Sequence, residues 1–300
     1  MTGTLHRVSL ERTEATDQDI RACYESELQK IPLRWDDPES TLLTLLKKQD
    51  LDILVDKASG QFIYPATLFK FVGDPSGLPR ERLRTILAIP VIKITPNPFA
   101  DLDLLYTQIL STAPNNKRIM DVLGALLVVT SMLDSDLILA RESLYIVEGL
   151  LDLQPSEGYV SLHTLHSLLR VSPIGKSRET MTVDEYRTWL GQGPGVKFHH
   201  KSFPDFLGDK TRSYRQCDKS SHDSCDKLCS FDFFVDYNLV HSRLAFGCLK
   251  VLKGLSSHHK SRRLHFGELS VSIPVTCYQL TDFVHSDMGL RSAVLVYPLQ

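Results

Sequence analysis

Residues Val196 to Leu207 read VKFHHKSFPDFL, and the architecture of the chain is predicted from this segment outward. The segment opens with a strand candidate, Gly195 to His199, and the other clear strand candidate is Leu168 to Val171. Helical patterns fill most of the sequence before them. Three helices followed by a small β-hairpin is the pattern of a winged-helix domain. We therefore predict a mainly α fold, built of helical bundle units with a winged-helix domain that carries a small β-hairpin.

Apolar residues at spacings of three and four predict the helices upstream of this segment. Asp17 is the expected cap of a first helix that runs to about Ile31, and Asp37-Pro38 is expected to open a second helix. A turn at Gly77-Leu78-Pro79 precedes a short helix to about Leu87. The remaining predictions are helices over 101–110 and 117–132, a loop over 88–97, and helices starting at 135, around 144–151, over 161–168 and over 238–252.

Bulk charge and hydropathy narrow the possible partners. The net charge of −2 gives no basic field for nucleic acid, which disfavours a nucleic-acid partner. The first residues, MTGTLHRVSLERTEATD, contain no apolar signal-peptide core. The longest apolar run, Val122 to Leu133, is shorter than the roughly 20 residues that cross a bilayer. We expect a cytoplasmic protein with no membrane partner.

The six cysteines do not predict a disulfide framework or a metal centre. Cys217, Cys225 and Cys229 cluster around His222, but the spacing lacks the close pairs of a structural zinc site. The stretch around them is polar and rich in Ser, Asp and Lys. Reduced loop thiols are the preferred interpretation, and no metal ligand is predicted.

Gly175-Lys176-Ser177 ends like a phosphate-binding loop, but the match fails. The motif G-x-x-x-x-G-K-[ST] needs a glycine five positions before Gly175, where this sequence has Arg170. No G-x-S-x-G, H-E-x-x-H or G-x-G-x-x-G motif occurs either. We predict no catalytic residues and no enzyme activity for the chain alone.

Four segments together resemble NACHT-type signal-transduction NTPases of the STAND class, which includes NOD-like receptors and large fungal groups. The residues His200-Lys201-Ser202-Phe203-Pro204-Asp205-Phe206-Leu207 resemble the "H-x-S/T-F-x-[DE]-F-L" signature that ends the winged-helix domain. Residues 57–67 (KASGQFIYPAT) are similar to the "kA-x-G-L-F-I-[YW]-A-A-T" segment of fungal members. Residues 102–110 (LDLLYTQIL) and 233–249 are similar to their "L-D-x-L-Y-x-x-I-L" and "F-x-[IV]-D…H-x-x-L-A-x-x-C-L" segments.

This resemblance implies a domain organisation and a role. It assigns residues 1–57 to the tail of the nucleotide-binding domain, 58–114 to a small helical domain, 115–207 to the winged helix and 208–300 to the start of a second, partly irregular helical domain. The P-loop would lie N-terminal to residue 1. The chain would be the regulatory or interaction portion that closes over nucleotide, with the P-loop domain or another protein as partner.

The resemblance also assigns two nucleotide-contacting residues. The winged-helix histidine of the family contacts the β-phosphate of ADP, and by position this is His200, with no such role for His199. Phe62 would face the adenine. No cofactor is expected on the chain alone, and ATP or ADP is expected in the parent architecture. For His200 the alternative is a histidine that merely satisfies a buried hairpin end.

Two rival functions stay open on the sequence. The first is a stand-alone winged-helix protein that binds nucleic acid, although Ser161 to Arg170 carries only one arginine and two histidines. The second is a non-functional truncated gene product.

Overall fold

The computed structural model of the chain is mainly helical. It describes residues 12–34, 37–91, 97–132, 144, 146–154, 156–171, 196–215 and 231–258. The helices are α1 (Glu14–Leu28), α2 (Leu42–Leu45), α3 (Lys48–Ala58), α4 (Ile63–Val72), α5 (Pro79–Ala88), α6 (Ala100–Thr112), α7 (Asn116–Met132), α8 (Glu157–Leu162), α9 (Ser202–Gly208), α10 (Lys210–Ser213) and α11 (Tyr237–His258). Residues 144 and 146–150 are also helical, and a 3-10 turn covers His163–Leu165.

The strands form two-stranded antiparallel pairs. They are β1 (Pro32–Arg34) with β2 (Asp37–Thr41), β3 (Leu169–Val171) with β4 (Val196–Phe198), and β5 (Tyr214–Arg215) with β6 (Phe231–Asp232). In the second pair Leu169 lies opposite Phe198 and Val171 opposite Val196. The two strands predicted for the hairpin therefore pair, as expected.

The chain divides into two compact units whose segments alternate along the sequence. Unit 1 consists of Met1–Pro114, Leu165–Leu168 and His199–Phe233. Unit 2 consists of Asn115–Thr164, Leu169–Phe198 and Phe234–Gln300. The domain boundaries at 57, 114 and 207 stay predictions.

Unit 1 has its core where α1, α3, α4, α5 and α6 pack on one another. Ile20, Tyr24 and Leu28 occur at helical spacing in α1 and are fully buried, as the spacing predicts. Their neighbours in the core include Leu54, Leu68, Ile86, Leu105 and Ile109. The prediction of α6 is confirmed, and this helix carries the side chains on which the candidate site is built.

Unit 2 is organised around α7, the helix predicted over 117–132, whose apolar residues are buried on nearly every side. Both α8 and α11 pack against it. A Cβ atom on Gly124 would lie 3.1 Å from Val240 and 3.4 Å from Val235, so the missing side chain lets the α11 region approach closely.

Two predictions near the N-terminus are wrong. The cap of α1 is Thr13, whose hydroxyl accepts the N–H of Thr16 at 3.1 Å, while Asp17 lies inside the helix and pairs with Arg12. The helix ends at Leu28, before Ile31, because Pro32 disfavours a helical conformation in the residue before it.

The helix predicted at Asp37-Pro38 is instead strand β2. Pro32 pairs with Thr41, and the N–H of Leu42 donates to the carbonyl of Ile31 at 2.9 Å. The chain thus folds back on itself before the helical turn α2 begins at Leu42. A proline is compatible with such a two-stranded edge because no continuous ladder needs its N–H.

The helix predicted over 161–168 lies earlier and is shorter. It begins at Glu157, because the buried carboxylate of Glu148 accepts the N–H groups of Ser156 and Gly158 at 3.2 and 2.9 Å. By residue 166 the chain has left the helix for a turn. The predicted helix start at Ser135-Asp136, the Gly175-Lys176-Ser177 motif and the cysteine cluster lie outside the described residues.

Candidate nucleotide-contacting site

His199 and His200 are adjacent, but their rings make different bonds. The N–H of His199 donates to the carbonyl of Leu168 at 3.0 Å, and its Nε2 donates to the carbonyl of His166 at 2.9 Å. His199 therefore uses its ring nitrogen to tie two segments of unit 1 together. His199 makes these bonds at an exposed position, so it is not the buried hairpin-end histidine of the alternative stated for His200, and the role of His200 stays a prediction.

His200 is exposed, and its ring is held from one side only. Its Nδ1 lies 3.1 Å from the backbone N of Ser202 and 2.7 Å from the Ser202 hydroxyl. Across the described part of the chain, no protein atom bonds to its Nε2. The histidine thus presents one free ring nitrogen at a fixed orientation.

The hydroxyl of Ser202 connects this histidine to the core of unit 1. Ser202 is buried, and its Oγ lies 2.7 Å from the phenol oxygen of Tyr106 in α6. Tyr106 is itself 1% exposed and packs edge-on against Phe203, with ring centroids 5.1 Å apart, and against Phe206 at 5.6 Å. Burial raises the pKa of Tyr106 to about 12, so the phenol keeps its proton at neutral pH.

An ion pair between α6 and α10 supports the same region. Arg212 donates from Nη2 and Nε to the two carboxylate oxygens of Asp103 at 2.6 and 3.1 Å. The amide of Asn97 donates to the same carboxylate at 2.8 Å, and Arg212 also covers the ring of Phe99 at 5.0 Å. Burial raises the pKa of Asp103, although the bonds from Arg212 and Asn97 oppose this shift. Asp103 precedes Tyr106 by nearly one helical turn, so the ion pair fixes the turn that presents the phenol.

Phe62 lies at the start of α4, and 49% of its surface is exposed. The neighbouring Gln61 donates from its side chain to the carbonyl of Pro98 at 2.7 Å. Among the described residues no hydrogen bond or ring contact joins Phe62 to His200. The structure therefore leaves both predicted nucleotide-contacting residues accessible in unit 1 without bringing them into contact, and their nucleotide roles stay predictions.

A buried lysine lies close to the Phe62 segment. Lys57 in α3 is 1% exposed, and its ammonium donates to the carbonyl of Ile86 near the end of α5. Burial lowers its pKa to about 8, while the nearby Asp101 carboxylate opposes that shift. The partner of Lys57 is a structural carbonyl, so we assign it to the packing of α3 on α5.

A cleft in unit 1 holds about 300 Å³ between α1 and α3, and its lining includes Arg12, Arg21, Asp52 and Asp56. The arginines are already paired with these acids and with Asp17. Neither His200 nor Phe62 lines it.

The described residues contain no group of three or more metal-ligating side chains. None of the described helices combines the length and apolarity that crossing a membrane requires.

Sequence reasoning identified His200 but missed Tyr106 and Ser202 as its supports. Both residues stand inside the quoted segments, LDLLYTQIL and HHKSFPDFL. Helical spacing predicts Tyr106 only as a core residue, and no local pattern predicts a bond between positions 96 residues apart. No protein-family model, curated protein or solved structure matches the chain.

Proposed function

We propose that this chain is the regulatory portion of a NACHT-type signal-transduction NTPase, in which a helical domain and a winged helix close over nucleotide held by a P-loop domain. The P-loop domain is not among these 300 residues, so the chain alone would bind nucleotide weakly and would not hydrolyse it. His200 would contact a phosphate of bound ADP and stabilise the closed, resting state. A cytoplasmic location belongs to the same proposal.

The observation that carries the proposal is the exposed Nε2 of His200 on a ring held at Nδ1. An imidazole N–H donates well to a phosphate oxygen, and protonation of the ring strengthens the bond. One such bond to a charged group is worth about 1.5–3 kcal/mol. A contact of this size, made in only one of two conformations, shifts their ratio by roughly 10- to 100-fold.

The order of the four family-like segments is the second support. The segment around Phe62, the helix that carries Tyr106, the segment at His200 and the beginning of α11 follow one another as in the family. Three of them lie in unit 1, and the fourth lies in unit 2.

Pyrophosphate is the most direct probe, because it contains the phosphate groups that His200 would contact and lacks the adenosine. We expect ¹H–¹⁵N spectra of the labelled full chain to show the His200 ring signals moving with added pyrophosphate. The dissociation constant should exceed 1 mM, because one bond supplies less than the roughly 4 kcal/mol of a millimolar complex. The backbone amide signals next to His200 should move in the same titration. His200→Ala should remove that movement, whereas His199→Ala should retain it.

Two outcomes would contradict the proposal. Equal shifts of every exposed histidine at matched ionic strength would show only general ionic effects. ATP hydrolysis by the purified chain above the rate of its His200→Ala variant would show that the chain is an enzyme by itself.

A further inference from the structure

The bonds around Ser202 fix the direction in which its hydroxyl points. Its backbone N–H aims at Nδ1 of His200, so that nitrogen must present its lone pair and carry no proton. The Ser202 hydroxyl, 2.7 Å from the same nitrogen, must then donate to it. With its only hydrogen used in this way, Ser202 meets Tyr106 as an acceptor.

Tyr106 is the first donor in this series of hydrogen bonds, because its phenol O–H donates to the Ser202 hydroxyl. Among the described residues, Ser202 is the one hydrogen-bond partner of the phenol oxygen, and the phenol is buried against Phe203 and Phe206. A buried phenol needs a partner for its hydrogen. In the reverse direction Nδ1–H of His200 would donate to the Ser202 hydroxyl. The hydrogen on Nδ1 would then face the hydrogen of the Ser202 backbone N–H, and the two would repel each other.

We infer that Tyr106 and Ser202 are positioning residues that hold the neutral ring of His200 in the tautomer with its proton on Nε2. In this tautomer the exposed nitrogen donates a hydrogen bond. In the other tautomer it would accept one, and it would repel a phosphate oxygen. The importance of this tautomer for phosphate rests on the proposed function, but the tautomer itself does not.

The consequence is that the phosphate contact does not require a charged ring. A neutral histidine that exchanges tautomers freely carries its proton on Nε2 for only part of the time. Its affinity for phosphate falls in proportion to that fraction. The bonds from Ser202 remove this loss. They also hold the ring in place, so binding does not have to order it.

The test is the ¹⁵N chemical shifts of both ring nitrogens of His200, recorded without ligand at about pH 8.5, where an imidazole is neutral. Wild type should show a single tautomer with the proton on Nε2. Tyr106→Phe keeps the packed ring but removes the donor that forces Ser202 to point towards His200. Ser202→Ala removes the hydroxyl altogether. Both variants keep the backbone N–H of Ser202, so the tautomer with the proton on Nε2 should remain the major one. A measurable minor population with the proton on Nδ1 should appear in both, and Ser202→Thr should restore the wild-type signal.

The controls separate a positioning role from a fold defect. Backbone ¹H–¹⁵N spectra report folding of each variant, and if Tyr106→Phe unfolds, the comparison of Ser202→Ala with Ser202→Thr still decides the question. Unchanged tautomer populations in the folded variants would overturn the inference, as would a wild-type ring that carries its proton on Nδ1.

Adding pyrophosphate distinguishes the two proposals. With both correct, the affinity of Tyr106→Phe and Ser202→Ala for pyrophosphate should fall by the fraction of His200 rings that lose the Nε2 proton, which is less than twofold while that tautomer stays the major one. A tautomer that shifts as expected, without pyrophosphate binding in wild type, would leave the positioning role intact and contradict the proposed function. If wild type binds pyrophosphate but the variants show no change of tautomer, the proposed function is kept and the positioning role is contradicted.

Discussion

The guanidinium group of Arg212 bonds to both carboxylate oxygens of Asp103, although 109 positions separate the two residues in sequence. Their side chains are 13% and 8% exposed, so the pair is largely removed from water. A pair of this kind is costly to break from one side, because the remaining charge stays buried.

We therefore predict that Arg212→Ala lowers the free energy of unfolding by about 3 kcal/mol. Arg212→Lys should recover little of this free energy, because an ammonium group cannot form the bidentate pair of hydrogen bonds that a guanidinium makes with a carboxylate. Chemical denaturation of the single variants and of Asp103→Asn/Arg212→Ala measures the coupling between the two residues. Additive losses would show that the ion pair does not hold α6 to α10.

Gly247 allows α11 to pass close to the backbone at Leu150. A Cβ atom at this position would overlap the carbonyl oxygen of Leu150, and backbone cannot move aside as a flexible side chain can. We predict that Gly247→Ala destabilises the protein by about 3 kcal/mol, the upper end for overpacking.

The matched control is Gly149→Ala, on an exposed helical position with no atom within 4 Å of the added methyl group. This change should stabilise the protein by up to about 1 kcal/mol through helix propensity. Thermal melts of the two variants should move in opposite directions. A fall of similar size in both would indicate a general intolerance of alanine and not a close approach at Leu150.

The buried Lys57 should make stability depend on pH in the alkaline range. Its pKa falls from 10.5 to about 8 on folding because of burial. Between these values the unfolded chain holds the proton and the folded chain has released it. The free energy of unfolding therefore rises with pH in that window, and below about pH 8 this contribution is constant.

Wild type should thus gain stability relative to Lys57→Met between about pH 8 and 10, by no more than about 3 kcal/mol. Urea denaturation at several pH values measures the difference. Lys70→Met, at an exposed position of α4, is the control for the removal of a lysine charge. A constant difference between wild type and Lys57→Met would mean that the lysine stays charged in the folded protein.

Thr13 caps α1, whereas the sequence pattern favoured Asp17. We predict that Thr13→Ala lowers the free energy of unfolding by about 1 kcal/mol, because the N–H of Thr16 loses its acceptor. Asp17→Asn should cost less and should depend on salt, since it removes only the partly exposed ion pair with Arg12. Equal losses in both variants would show that the cap and the ion pair contribute alike.

Helices with one apolar face were predictable because apolar residues that recur every three or four positions indicate them from neighbouring residues alone. The buried series Ile20, Tyr24 and Leu28 follows directly from this spacing. The pairing of β3 with β4 was predictable for a related reason, since those residues alone combined strand propensity with flanking turn signals.

Errors occurred where a distant group or a competing local bond decided the structure. Asp37 and Pro38 would suit a helix start, but the bond from Leu42 back to Ile31 defines a strand pair instead. The start of α8 depends on a carboxylate from Glu148, about ten residues earlier. The support of His200 by Ser202 and Tyr106 depends on tertiary packing, which no periodic pattern encodes.

The alternation of segments between the two units has a consequence for the order of synthesis. The helix α6 is synthesised before the bonds of Tyr106 to Ser202 and of Asp103 to Arg212 can form, because these partners are added 96 and 109 residues later. At about 5–20 residues per second this is a wait of roughly 5–20 seconds. During that time unit 1 lacks α9 and α10, so nascent chains halted after α6 offer the surface that a chaperone would have to cover.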